Sequence, residues 1–353
     1  MALLKLASGQ DPTLLHPNAP SGVLAAGQTP RRVLLVKLSA MGDQVCLAAA
    51  VRDIRRRWPE VEIDWAVDER FADIARLHRD VQQVYALPIK RCQRGWRLRQ
   101  NRRDLFQALL ALRRQHYDLV LDAQGLWKSA LIARLARSPL RVGFQRQACG
   151  ERPAALFYTH HHQPSRSAAV ARLRDLAAFA LGSQPYAPLD YGLAAMPMPE
   201  NSRLSRRIAL CHAASKAEKR WEDGEWVKLG RALAARGFQL VLPWGTQAEQ
   251  QHAKVLADAI GAQHCEILPY TRLADWPAVL ASLRLLIGVD SGLLHLAAAH
   301  GLPTVGIFVS THTDLFSPLP GRGLALGLPG PRPDSTAVLQ AASRWLAAEF
   351  SSG

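Results

Sequence analysis

The 353-residue chain is long enough for two ordinary domains, and 48% hydrophobic against 21% charged residues excludes a disordered protein. Its net charge of +15 is uneven: residues 1–185 hold 29 basic and 15 acidic side chains, the remainder 15 and 14. The +14 half is expected to meet something anionic, the near-neutral half is not, and five scattered cysteines without a C-x-x-C pair exclude a disulfide scaffold or a structural zinc site.

Residues 1–30 contain Gln10-Asp-Pro-Thr and Pro17-Asn-Ala-Pro but no basic segment leading into an apolar core. They read as a flexible extension, not a signal peptide, and with the unpaired cysteines they imply a reduced, cytoplasmic protein. From Arg32 short β-rich runs alternate with amphipathic ones. Val33–Val36, Val61–Trp65, Val84–Leu87, Leu119–Asp122 and Leu140–Phe144 are strand candidates with helical segments between them. Continuous apolar strands separated by helices mean a parallel sheet covered on both faces. The rhythm lapses in a Pro-rich stretch, taken as a linker over 186–206, and then restarts. Ile208–His212, Gln239–Pro243, Leu285–Val289 and Thr304–Phe308 are the strands of a second unit, closed by a helix from Ala337 to Phe350. The expected fold is α/β: two tandem Rossmann-like, doubly wound domains over 31–185 and 207–353, facing a cleft. The longest uncharged stretch, Ser291–Thr313, is broken by Gly301-Leu-Pro303 and carries three histidines, so a short helix, a turn and a buried strand fit it better than a membrane span.

Four segments carry candidate chemistry. Lys37-Leu-Ser-Ala-Met-Gly-Asp43 follows the first strand, where Asp43 is either a base for an incoming hydroxyl or a residue stabilising the first turn of its helix. Gly288-Val-Asp290-Ser-Gly-Leu-Leu-His295 repeats the strand–turn–helix pattern. It offers Ser291 and Gly292 amides to a phosphate, or else a plain N-cap with a core histidine. His212-Ala-Ala-Ser-Lys216-Ala-Glu-Lys219-Arg220 suits a nucleotide diphosphate or is a solvated loop. In the fourth, Lys90, Arg91, Arg94, Arg97, Arg99, Arg102 and Arg103 fall within fourteen positions without an acid, with Trp96 among them. Nucleic acid, phosphorylated lipid at a membrane surface or water could meet such a strip, but no nucleic-acid module accompanies it. There is no G-x-G-x-x-G fingerprint, which argues against a nicotinamide oxidoreductase. There is also no Asp-x-Asp pair, so no obligatory divalent metal is expected.

Ser39-Ala-Met-Gly-Asp43, Asp122-Ala-Gln-Gly-Leu-Trp-Lys128-Ser, Leu242-Pro-Trp-Gly245 and Asp290-Ser-Gly-Leu-Leu-His295 occur in one order. With them the chain resembles the lipopolysaccharide heptosyltransferases of glycosyltransferase family 9, in their heptosyltransferase I branch, from about Arg31 to Phe350. The resemblance implies a GT-B fold and inverting transfer of L-glycero-D-manno-heptose from ADP-heptose to a Kdo of the lipid A precursor. It implies Asp43 as general base. Ala214, Ser215, Lys219, Glu249, Asp290, Ser291, Gly292 and His295 then fall at the donor, and Lys90, Arg91, Arg94 and Lys128 at the anionic acceptor. It implies no cofactor and no nucleic acid, and a monomer held peripherally at the cytoplasmic face of an anionic inner membrane. Two segments depart from the family pattern: Ala168 replaces a histidine before Arg172, and Glu151-Arg152-Pro153 stands where Arg-Glu-Pro is usual. A relative that adds a second heptose, or another nucleotide-linked sugar, is the alternative.

Overall fold

A computed structural model describes residues 22–24, 28–165, 167–193, 206–316, 318–319 and 321–346. In the first half β1 (Arg32–Val36), β2 (Glu62–Asp68), β3 (Gln83–Leu87), β4 (Leu119–Asp122), β5 (Leu140–Phe144) and β6 (His160–His162) form one sheet in the order β3-β2-β1-β4-β5-β6. All its pairings are parallel, with Val33 opposite Leu119 and Val36 opposite Asp122 at the centre. Its helices are α1 (Met41–Arg57), α2 (Ala72–Arg76), α3 (Ile89–Arg94), α4 (Arg99–Arg114), α5 (Trp127–Leu135) and α6 (Ala169–Leu181).

The second half repeats the plan. β7 (Arg207–Cys211), β8 (Gln239–Leu242), β9 (Cys265–Ile267), β10 (Leu285–Val289), β11 (Thr304–Phe308) and β12 (Gly323–Gly327) order as β12-β11-β10-β7-β8-β9, again all parallel. Its helices are α7 (Asp223–Ala234), α8 (Gln247–Ile260), α9 (Trp276–Ala281), α10 (Gly292–Ala299) and α11 (Ser335–Leu346). Counted from its own first strand, each sheet runs 3-2-1-4-5-6, the doubly wound order. The central strands are apolar throughout because helices cover both of their faces: Val33–Val36 and Leu285–Val289 are all buried.

The strand order reverses between β1 and β4 and again between β7 and β10, so the loops after these four strands open at the crevice of each sheet. The two crevices meet. Helix α10 packs against α1, and one continuous apolar core takes in Val45 and Ala49 of α1 together with Leu294 and Leu296 of α10. Two glycines permit this approach: a Cβ at Gly42 would come within 3.1 Å of the His295 ring, and one at Gly292 within 2.5 Å of the Met41 side chain. This is the GT-B arrangement. Ser291–Thr313 is indeed a buried helix, a turn at Gly301 and a buried strand, and among the described residues no helix is long and apolar enough to cross a membrane.

Three strands escape the sequence reading: β6, β9 and β12. All are edge strands: β6 and β9 are only three residues long, His-His-His and Cys-Glu-Ile, and β12 is a half-buried Gly-Leu-Ala-Leu-Gly without a β-branched residue. The linker assignment also changes. Residues 186–193 pack onto the first sheet's helices, with Tyr191 and Leu193 buried and Asp190 bound to Arg52 and Arg79 at 2.9 Å each, while 194–205 lie outside the described residues. Likewise Val23, read as part of a loose extension, donates its N–H to the Ala180 carbonyl at 3.3 Å and packs with Leu24 on the core.

Candidate active site

Where the two crevices meet lies a cleft of about 600 Å³, and it gathers Asp43, Ala214, Ser215, Lys219, Glu249, Asp290, Ser291, Gly292 and His295. Each is delivered by the loop at the carboxyl end of β1, β7, β8 or β10 or by the first turn of the helix that follows. On the first-domain wall, buried Asp122 at the end of β4 accepts hydrogen bonds from Tyr158 Oη (2.7 Å) and from the Gln124 and Gly125 amides (2.9 and 3.3 Å). The fixed turn aims Gln124 back at the neighbouring loop, where its Oε1 accepts from the Leu38 and Ser39 amides at 3.1 Å each. The loop after β1 is thereby held open in front of α1.

Asp43 sits in the first turn of α1. One of its oxygens, Oδ2, binds the Lys37 ammonium at 2.9 Å and accepts the Ala40 N–H at 3.4 Å. The helix-capping role weighed from sequence is therefore present. It uses a single oxygen, and Oδ1 has no protein partner among the described residues. Lys37 itself is buried, its side chain 7% exposed against 43% for Asp43, so the ammonium reaches the carboxylate from inside the protein and leaves the outer side accessible. Lys37, like Thr311 and Arg70, is a site residue that sequence reading passed over. Its signal was a cation closing an apolar strand six residues before the aspartate.

On the opposite wall, Asp290 ends the turn after β10 and is nearly buried. It accepts from Lys219 Nζ (2.6 Å), Thr311 Oγ1 (2.8 Å) and His295 Nε2 (3.3 Å). Burial alone would raise its pKa, but the hydrogen bonds from His295, Lys219 and Thr311 outweigh it and hold the carboxyl well below the ordinary range. Ser291 caps α10, its Oγ accepting from Leu294 N, and the Gly292 end of the helix faces the cleft. Lys219 comes from a loop pinned at its far end by buried Trp221, whose indole N–H donates to the Pro333 carbonyl at 2.8 Å. Glu249 behaves as Asp43 does. Its Oε2 accepts the Gly245 and Thr246 amides (2.8 and 2.9 Å) in the capping box of α8, and Oε1 has no protein partner among the described residues. Trp244 and Tyr270, with ring centres 5.8 Å apart, add an aromatic edge to the same cleft.

The residues assigned to the acceptor are not all in one place. Lys90, Arg91 and Arg94 line a second cavity of about 360 Å³, and Arg70 lines both cavities. Arg91 is already committed: its guanidinium pairs with Glu69 at 2.9 Å and with Asp104 at 2.8 Å, bracing α3 against α4. Lys128, at the start of α5, borders neither cavity and lies 6.0 Å from the Trp127 ring. Glu151, in one of the departing segments, holds the Trp127 amide at 2.7 Å and so serves the N-terminus of α5. Ala168 precedes α6, whose Arg172 guanidinium lies 4.3 Å from the centre of the Phe144 ring. All five cysteines are free thiols, and burial pushes Cys46, beside the cleft, up to about 12.

With this geometry in hand, comparison with known proteins is specific. The sequence profile of glycosyltransferase family 9 (heptosyltransferase) matches residues 103–334. Lipopolysaccharide heptosyltransferase 1 of Escherichia coli K12 is 36% identical over 291 residues, covering 80% of this chain and 89% of that protein. The structure of E. coli heptosyltransferase WaaC with ADP superimposes with a TM-score of 0.80 at 32% identity, over 89% of this chain and 99% of that one. The same enzyme with ADP-2-deoxy-2-fluoro heptose gives 0.77, with the same identity and coverage. A paired-sheet cleft, its loops in family order and matches that span most of the chain converge on one conclusion: the protein belongs to glycosyltransferase family 9, the heptosyltransferases, and is a glycosyltransferase.

Proposed function

We propose that this enzyme transfers L-glycero-D-manno-heptose from ADP-heptose to a Kdo of the lipopolysaccharide inner core, with inversion, at the cytoplasmic face of the inner membrane. The observation that carries this reading is the division of the cleft. Asp43, with one unpartnered carboxylate oxygen, stands on the first-domain wall, and the Asp290–Lys219–His295 network and the start of α10 stand opposite. The ADP and ADP-2-deoxy-2-fluoro heptose bound by the E. coli relative support a nucleotide-linked heptose as the donor.

In this mechanism the acceptor hydroxyl attacks the anomeric carbon, the bond from that carbon to the β-phosphate oxygen breaks, and the proton passes to Asp43 Oδ1. Lys37 fixes Oδ2 and so turns Oδ1 outward. Negative charge grows on the departing ADP, where Lys219, released from Asp290 by the competing phosphates, and the free amides at the start of α10 stabilise it. The first half, at +14, suits an acceptor that carries carboxylates and phosphates. Lys90 and Arg94 are the cations set to meet it, with Arg70, paired with Asp68 at 2.7 Å, between the two cavities. Arg91 shapes their wall while bound to Glu69 and Asp104.

Purified protein incubated with ADP-heptose and Kdo-lipid A, in parallel with other nucleotide sugars, tests the reading by product mass. One added heptose on Kdo-lipid A from ADP-heptose alone is expected. Transfer only to an acceptor that already carries a heptose, or from a different nucleotide sugar, assigns the enzyme to another branch of the family.

A further inference from the structure

Nine large apolar side chains are exposed among the described residues, and seven of them lie in the basic half. Their placement is not random. Along α4 the residues Arg99, Arg102, Arg103, Phe106 and Leu110 are all exposed, and their spacing puts them on one face of the helix, with Asn101 and Leu112 buried on the other. Phe106 is 66% exposed, and the turn before the helix adds Trp96 at 57% and Leu98 at 61%. Helix α5, which touches α4, exposes Trp127 and Leu131 as well. The one acid of α4, Asp104, is used by Arg91 and Gln100. Arg94, Arg97, Arg99, Arg102 and Arg103 form no ion pair among the described residues.

We infer that the α3–α4 hairpin is an interfacial anchor that lies in the surface of an anionic phospholipid bilayer, with Trp96, Phe106 and Leu110 entering the headgroup–acyl boundary and the arginines on lipid phosphates. Apolar side chains at this exposure need a cover, and a ring of unpaired arginines selects an anionic one. A second copy of the chain would bring like charges together across the contact with no acid to relieve them. A nucleic acid would use the arginines but gain nothing from Phe106 and Leu110 on a helix face. The anchor also adjoins the site: Leu98 and Arg94 wall the second cavity, which shares Arg70 with the main cleft. A lipid-anchored acceptor would reach Asp43 along that cationic wall, a consequence that rests on the proposed function.

A purely electrostatic strip would release the membrane as salt is raised, whereas an inserted apolar face would not. The test is sedimentation of the full chain with phosphatidylethanolamine–phosphatidylglycerol vesicles and with phosphatidylcholine vesicles, at low and high salt. Wild type should bind the anionic vesicles and keep part of that binding at high salt. Phe106→Gln with Leu110→Gln should weaken binding by roughly tenfold or more and abolish the salt-resistant part. Replacing Arg97, Arg99, Arg102 and Arg103 by Gln should remove the salt-sensitive part and raise the KM for vesicle-borne acceptor, leaving the ADP-heptose KM unchanged. All six side chains are exposed, so unfolding curves like those of wild type are expected and serve as the control. Equal vesicle binding by wild type and the Phe106/Leu110 variant at both salts overturns the proposal. So does equal binding of wild type to both vesicle types, or a dimer of the free protein that this variant dissolves. Vesicle binding is read without turnover, so a missing heptosyl product would count against the proposed function and leave the anchor standing.

Discussion

The Asp43–Lys37 pair shows how one carboxylate serves two ends. Half-exposed ion pairs add little to stability, so the contact is better understood as aim than as glue. Lys37→Met, which keeps the buried chain but removes its charge, is expected to lower kcat by about tenfold to a hundredfold through misplacement of Asp43, with ADP affinity and thermal stability near wild type. Steady-state kinetics with calorimetric ADP titration separates the two readouts. Across the cleft, Lys219 neutralises buried Asp290 and is the proposed ADP ligand. Lys219→Ala and Asp290→Ala should each weaken ADP by roughly tenfold to a hundredfold, the scale of a charged hydrogen bond. Titration with ADP alone decides it, and unchanged affinity in both variants would mean the nucleotide lies elsewhere.

At the scale of elements, α1 and α10 meet end to end because Gly42 and Gly292 leave no side chain between them. Gly292→Ala places a Cβ against Met41 and is expected to cost about 1–3 kcal/mol by overpacking, and to raise the KM for the nucleotide sugar as α10 shifts. Denaturant unfolding and donor kinetics read the two effects. Two residues beyond α2, buried His78 accepts the Asp80 N–H at Nδ1 (3.1 Å) and donates from Nε2 to the Ala48 carbonyl of α1 (3.1 Å). Both nitrogens are spent on the neutral ring, and burial lowers its pKa from 6.5 to about 4. Buried His212 is likewise lowered to about 4 by burial. The unfolded chain therefore takes up these protons first as pH falls. The stabilisation is whole above pH 6.5 and is lost progressively down to about 4, so the melting temperature should drop across that window in wild type and drop less in His78→Gln. What the sequence reveals and conceals divides along the same elements. Central strands announce themselves by apolar runs, and the site loops by following those strands. The edge strands β6 and β9 are too short for such a run, and β12 has glycine at both ends and no β-branched residue. Arg91 looked free because its partners, Glu69 and Asp104, stand 22 and 13 positions away, and only the packing of α3 against α4 and the turn after β2 unites them. The orientation of Asp43 was hidden for a related reason: the turn that lets Lys37 reach it is tied by Gln124, from a different strand.

At the scale of the whole molecule, the charge split of the sequence becomes a division of labour in space. In the proposed mechanism the basic half supplies the base, and it carries the cationic second cavity and the exposed arginine-and-apolar face, while the near-neutral half carries the Lys219–Asp290 pair proposed to cradle the nucleotide. Neither sheet alone holds both. The measurement that tests this most directly is a paired one on Asp43→Asn: single-turnover transfer of heptose to Kdo-lipid A, and ADP affinity, in the same preparation. Loss of the general base typically costs ~10²–10⁴-fold, so transfer should fall by that much while ADP binds as tightly as to wild type. Transfer above about a tenth of the wild-type rate would contradict the account and reduce Asp43 to the cap of its helix.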